Sequence, residues 1–79
     1  MKLKIISLKG IEFEGEVQSL NIKTASGEIT VLDHHRPLIT LLGKGTARIG
    51  LGENDLKEIE IESGFLEMDD RNTLSVLMD

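Results

Sequence analysis

The chain has 79 residues, a net charge of −5, no cysteine, and a composition that is 39% hydrophobic and 29% charged. That length holds one domain, residues 1–79, with a core small enough that a partner binding only the folded state would add materially to its stability. The missing thiols exclude a disulfide framework and a thiolate metal site. The acidic balance, with no basic cluster, argues against nucleic acid and an anionic lipid surface, and no apolar run nears the ~20 residues that span a bilayer.

Polar and apolar residues alternate from Lys2 to Ile5 as they do in a strand with one wet face. Glu12 to Glu14 repeats the pattern, and Gly15 is expected to interrupt it. Val17 to Thr24 predicts another strand, with Leu20 and Ile22 on one face. After a turn at Ser26-Gly27, Glu28 to Leu32 predicts its hairpin partner. Asp33 to Pro37 predicts a loop, with Arg36 held extended by Pro37. Residues 36–42 satisfy a short strand or a helical turn equally well.

Thr46 to Ile49 alternates again, with Ala47, Ile49 and Leu51 directed inwards, and Gly52 to Asp55 is a strong turn signal. From Lys57 to Glu62 the isoleucines 59 and 61 face in and the glutamates 58, 60 and 62 face out. Phe65 to Met68 and a last strand through Leu74 and Val76 flank a polar turn at residues 69–72. Eight or more short strands at this spacing predict an all-β sandwich or barrel. Val17, Leu41, Leu42, Leu66 and Leu77 break strict alternation, which makes each a candidate for an apolar outer patch or for the core.

Asp33-His34-His35 is the one cluster whose residue types suit a metal or acid–base chemistry. Neighbours in an extended loop point in opposite directions, and no further His or Cys completes a ligand set, so no metal site is expected. The glutamate row reads as a solvated strand face that discourages edge pairing. No serine sits in a nucleophile elbow, and Gly43-Lys44-Gly45-Thr46 lacks the first glycine of a phosphate-binding loop. No catalytic residue, cofactor or small-molecule substrate is predicted from these patterns.

The stretch from Gly27 to Thr40, GEITVLDHHRPLIT, resembles the G-E-x-G-I-L-P-G-H-x-P-L-L-T segment of the N-terminal β-sandwich domain of ATP synthase epsilon subunits. Phe13-Glu14-Gly15-Glu16-Val17 is similar to that family's F-x-G-E-V, Gly64 to Met68 to its G-F-L-E-V, and Asn72 to Leu77 to its N-x-V-T-V-L. The motifs fall in order and span nearly the whole chain. The resemblance implies a flattened β-sandwich of two roughly five-stranded sheets. It implies a non-catalytic central-stalk subunit of a rotary F-type synthase, peripheral at the cytoplasmic face of the membrane. There it would bind the gamma subunit and the c-ring and couple ion translocation to ATP synthesis. By the same resemblance Glu28 stands where the family's glutamate lies near the c-ring, and His35 where its loop histidine lies near the gamma and c-ring contact. Leu42 joins them as a candidate apolar contact.

Three departures accompany the likeness. Asp33-His34 replaces the family's Pro-Gly, which predicts a different loop geometry, and Thr30 replaces a glycine, which predicts altered twist in its strand. The sequence ends at Asp79, where the family usually continues into a two-helix hairpin, so inhibition by helix insertion is not expected of these residues. The L-D-x-x-R pattern at Leu32–Arg36 is like a nucleotide-binding motif of that hairpin, but it stands in another domain and carries no such function here. The competing expectation is an unrelated β-sandwich adaptor; an enzyme built on Asp33, His34 and His35 is a distant third.

Overall fold

In the computed structural model, which describes residues 1–79, nine strands form and no helix does, so no helix is available to cross a membrane. They are β1 (Lys2–Ser7), β2 (Gly10–Glu16), β3 (Ser19–Thr24), β4 (Gly27–Leu32), β5 (Leu38–Leu42), β6 (Gly45–Gly52), β7 (Asp55–Ile61), β8 (Gly64–Met68) and β9 (Thr73–Met78). Residues 38–42 thus resolve as a strand, because Leu38 to Leu42 pair antiparallel with Met68 to Gly64. Two expectations need correction. Gly15 does not interrupt its strand, since it pairs with Leu3 inside β2. Val17 lies outside β3; its N–H donates to the Met1 carbonyl at 2.8 Å, and its side chain is buried.

The strands follow the order β2-β1-β9-β8-β5-β3-β6-β7, with β4 on the free edge of β3. Five of them, β2-β1-β9-β8-β5, make one layer, and β4-β3-β6-β7 make the other. All pairs are antiparallel except β1 with β9. The layers join at the end of β3, where Thr24 pairs with Leu42. Ala25 N–H to the Leu41 carbonyl and Gly43 N–H to the Lys23 carbonyl, both at 2.9 Å, bracket that pair. Across the opposite seam no ladder forms between β2 and β7, and the Lys57 ammonium lies 5.6 Å above the Phe13 ring.

Period-2 alternation places one face of every strand against the other layer. Leu3, Ile5, Leu66, Met68, Leu74 and Val76 from one layer bury against Leu20, Ile22, Val31, Ala47, Ile49 and Ile61 from the other, and most of these are at zero exposure. Leu51 and Ile59 pack on the margin of this core. Each fully buried aliphatic side chain contributes about 1.5–3 kcal/mol, so the two-layer contact supplies the main driving force. Thr30, at the family's glycine position, leaves the β3–β4 ladder unbroken from Ser19–Leu32 to Thr24–Gly27, and its Oγ1 accepts from Asn21 Nδ2 at 2.9 Å.

Gly64, at the start of β8, has a φ of +153°, and a Cβ there would overlap the Leu77 carbonyl oxygen and the Met78 Cα. Neither obstacle is a flexible side-chain end. Replacing Gly64 with alanine should lower stability by about 2–4 kcal/mol, from backbone strain plus overpacking, measured by urea denaturation.

Candidate functional site

One end of the sandwich carries the loop between β4 and β5. Its first turn closes with His35 N–H donating to the Leu32 carbonyl at 3.1 Å, and His34 takes a φ of +60°. That is a conformation a glycine would adopt freely, so the histidine here takes a backbone position that usually favours glycine. Histidine tolerates this region better than most residues. His35 Nδ1 lies 2.8 Å from the Arg36 carbonyl, to which it donates in its Nδ1–H tautomer.

Asp33 begins the same loop and is tied to two distant parts of the chain. Its carboxylate is 2.8 Å from the Met1 ammonium, and it accepts from Asn72 Nδ2 at 2.7 Å. The ammonium also donates to the Val17 carbonyl at 3.0 Å and stands 3.5 Å from Glu16. The hydrogen bond from the ammonium, followed by that from Asn72, holds the Asp33 carboxyl below the usual carboxylate range. Asp33 in turn holds the ammonium above its ordinary value, chiefly through the same hydrogen bond, against the opposing effect of burial. The two imidazoles do not converge: His34 Nε2 faces Asp33 at 3.5 Å while His35 bonds its own neighbour's carbonyl. No group of three His, Cys, Asp or Glu side chains anywhere in the chain is arranged to hold a metal ion.

The two outer faces of the sandwich differ in chemistry. On the five-stranded layer the pairing aligns Leu41 with Phe65, Phe65 with Leu77, Leu77 with Ile6, and Ile6 with Ile11. This unbroken apolar row crosses five strands, about 19 Å at ~4.8 Å per strand. Leu41, Phe65 and Leu77 are each 53% exposed and Ile11 58%, so the row lies open. The Leu41 end opens into a cavity of about 430 Å³ lined mainly by Leu41, Leu42, Phe65, Leu77 and Met78. The neighbouring row, Ile39-Glu67-Ser75-Lys4-Glu14, is mostly polar and forms a rim.

The outer face of the other layer is mainly a hydrogen-bonded polar surface, with the exposed Leu32 and Leu56 at one end of it. Asn21 Nδ2 donates to Glu28 at 3.1 Å and to Thr30 Oγ1 at 2.9 Å, and Arg48 Nε donates to Glu58 at 3.1 Å. Thr46 Oγ1 donates to Glu60 at 2.6 Å. The glutamates predicted to face solvent are therefore partly engaged with their cross-strand neighbours.

The structure separates the three predicted contact residues. Glu28 is the second residue of β4 and His35 follows its far end, so they stand at opposite ends of one strand, and both are exposed. Leu42 is 6% exposed and belongs to the core; it supports the cavity wall and offers no outward surface. Val17 and Leu66 are likewise core, whereas Leu41 and Leu77 are on the outer row. The sequence reading missed Ile6, Ile11 and Phe65 as members of that row. Their signal was an apolar residue standing out of phase with the buried set, and only the register shows that these positions align.

A family model described as "ATP synthase, Delta/Epsilon chain, beta-sandwich domain" matches residues 1–79. The chain belongs to this family. Among its curated relatives, the "ATP synthase epsilon chain" of Leptospira borgpetersenii serovar Hardjo-bovis (strain JB197) is 40% identical over 79 residues, covering 100% of this chain and 61% of the relative. The protein of the same name from Persephonella marina is 36% identical over 66 residues, covering 84% of this chain and 48% of the relative. The chain thus spans roughly half to three fifths of the length of these relatives. A chain of the Euglena gracilis mitochondrial ATP synthase (OSCP/F1/c-ring) superposes with a TM-score of 0.89 at 21% identity, over 96% of this chain and 48% of that one. One from the Tetrahymena thermophila mitochondrial ATP synthase central stalk and c-ring gives 0.82 at 16% identity, over 100% and 63%. At these identities the superpositions establish a shared fold.

Two outcomes follow from the loop geometry. His34→Gly should stabilise the fold by up to about 1 kcal/mol in thermal or urea unfolding, because the strain of positive φ exceeds the entropy that glycine costs. Asp33→Asn should destabilise it at neutral pH. The depressed Asp33 carboxyl contributes stability above the ordinary carboxylate value and loses it as pH falls through the lower folded-state value. The raised ammonium contributes below the ordinary amine value and loses it as pH rises through the higher folded-state value. Urea midpoints of wild type and Asp33→Asn should therefore differ most in the middle range and converge at both extremes.

Proposed function

We propose that this domain is the β-sandwich of an epsilon-type rotor subunit in a rotary ATP synthase. In this reading it performs no chemistry and joins the gamma subunit to the c-ring, peripheral to the membrane on its cytoplasmic side. The observation that carries the reading is the open apolar row Leu41-Phe65-Leu77-Ile6-Ile11 on a domain whose family is that of the synthase delta and epsilon chains. Family membership across all 79 residues leaves an unrelated adaptor without support.

The gamma subunit is the occupant assigned to the row. The structural neighbours, one from an OSCP/F1/c-ring assembly and one from a central stalk and c-ring assembly, support a stalk setting. An apolar, shape-defined surface suits a protein partner held through many revolutions, with the aromatic ring of Phe65, beside the cavity end of the row, as the natural anchor. The polar exposed residues Glu28 and His35 suit the polar loops of a c-ring. Transmission of torque needs a stiff connector, and two interdigitated layers at native packing density provide one.

Calorimetric titration of this chain with the gamma subunit of the same organism, alone and in complex with its c-ring, tests the reading. Wild type should bind. Phe65→Ala and Leu41→Ala should each weaken binding to gamma by tenfold or more with the melting temperature unchanged, since both side chains are exposed. Glu28→Ala and His35→Ala should weaken only the complex that includes the ring. Absence of binding to either preparation would overturn the proposal.

A further inference from the structure

We infer that Asn72 is a positioning residue for the partner-facing loop between β4 and β5, although it lies in the β8–β9 turn and need touch no partner itself. The inference rests on the stalk-binding reading of that loop and deepens it. Residues 33–37 are all exposed, so burial does little to order them. Within the loop the bonds are local, from His35 to Leu32 and to Arg36. From outside, the loop is held by Asn72 and by the Met1 ammonium.

Asn72 uses both ends of its amide on this loop. Oδ1 accepts the His34 N–H at 2.7 Å, and Nδ2 donates to Asp33 Oδ1 at 2.7 Å. Its carbonyl accepts the Lys2 N–H at 3.1 Å, which fixes the turn to the start of β1. Its backbone has a φ of +59°, and asparagine is among the few side-chain-bearing residues that reach this region readily. The chemistry demands an amide. A carboxylate lacks the donor and would face Asp33 charge to charge, whereas a hydroxyl cannot replace the paired donor and acceptor.

The consequence is local. By fixing His34 at positive φ, Asn72 sets the direction in which the chain presents His35. A preordered loop loses less entropy on binding than a loose one. Removal of the amide should therefore loosen the loop and weaken the partner contact without melting the sandwich.

The test uses this chain with Asn72→Gly, which keeps access to positive φ and removes the side chain. Amide hydrogen exchange, read by NMR without any partner, should show the His34 N–H exchanging at least tenfold faster. The amides of β1 and β9 should be unchanged. Affinity for the gamma and c-ring complex should fall about tenfold, the worth of one or two ordinary hydrogen bonds. On a His35→Ala background the same substitution should cost little more, because both changes act through one contact. Unchanged His34 exchange would overturn the inference whatever the partner does, and so would additive affinity losses in the two backgrounds. If His35→Ala alone leaves ring affinity intact, the stalk reading of the loop fails, and the exchange result then separates that failure from failure of the Asn72 assignment. Should the glycine variant not fold, Asn72→Asp, which keeps the His34 acceptor but loses the donor and repels Asp33, carries the affinity comparison, and losses additive with His35→Ala would again overturn the inference.

Discussion

Both layers of the sandwich depend on how the end of β3 is shared. Residues 19–21 of β3 pair with β6, and Thr24 pairs with Leu42 at the end of β5. The chain leaves one layer through Leu42 and enters the other through Gly43 to Gly45, beside the backbone of Lys23 and Thr24. A buried polar group needs a partner, and the buried Thr24 hydroxyl finds two: it donates to the Gly27 carbonyl at 2.6 Å and accepts the Ser26 N–H at 3.1 Å. One residue therefore closes the β3–β4 turn with its side chain and joins the layers with its backbone. The apolar cavity beside Leu41 and Leu42 lies at this junction, so a partner anchored there would press on the point where the layers meet.

The outer faces follow from the same geometry. Once the core takes alternate residues of each strand, the remaining residues are assigned outwards, and their chemistry decides what each face can do. On one side they are mainly polar, among them Asn21, Thr30, Arg48 and Glu58, which bond to each other, with Leu32 and Leu56 exposed at one end. On the other they are Leu41, Phe65, Leu77, Ile6 and Ile11, which have no comparable use for water. Such an apolar row on an exposed sheet is a liability in a free monomer and an asset in a subunit with a permanent neighbour.

The candidate contact loop shows how distant parts of the chain cooperate. Asp33, His34 and His35 are adjacent in sequence and drew notice as a cluster, yet they act separately. Asp33 binds the ammonium and Asn72, His34 supplies the backbone bend, and His35 is presented outwards. Leu42 shows the reverse case. In a run of five residues, Leu38 to Leu42, three leucines and an isoleucine give no phase, and only the pairing of Leu42 with Gly64 turned it inward.

Most strands were legible because alternation against water is a local property, written in runs such as Lys2 to Ile5 and Lys57 to Ile61. The turns at Ser26-Gly27 and around Asn54 were legible because few residues tolerate their backbone angles. The motif order also identified the family. The sequence alone did not determine strand register or layer membership, because hydrogen-bonded partners lie far apart along the chain and any strand ladder satisfies the same alternation. Tertiary structure therefore decided that five separate apolar residues form one row, that Leu42 lies beneath the surface, and that Asn72 reaches back to His34. Each is a relation between distant positions, set by the closest packing of two sheets, and no single stretch of sequence contains it.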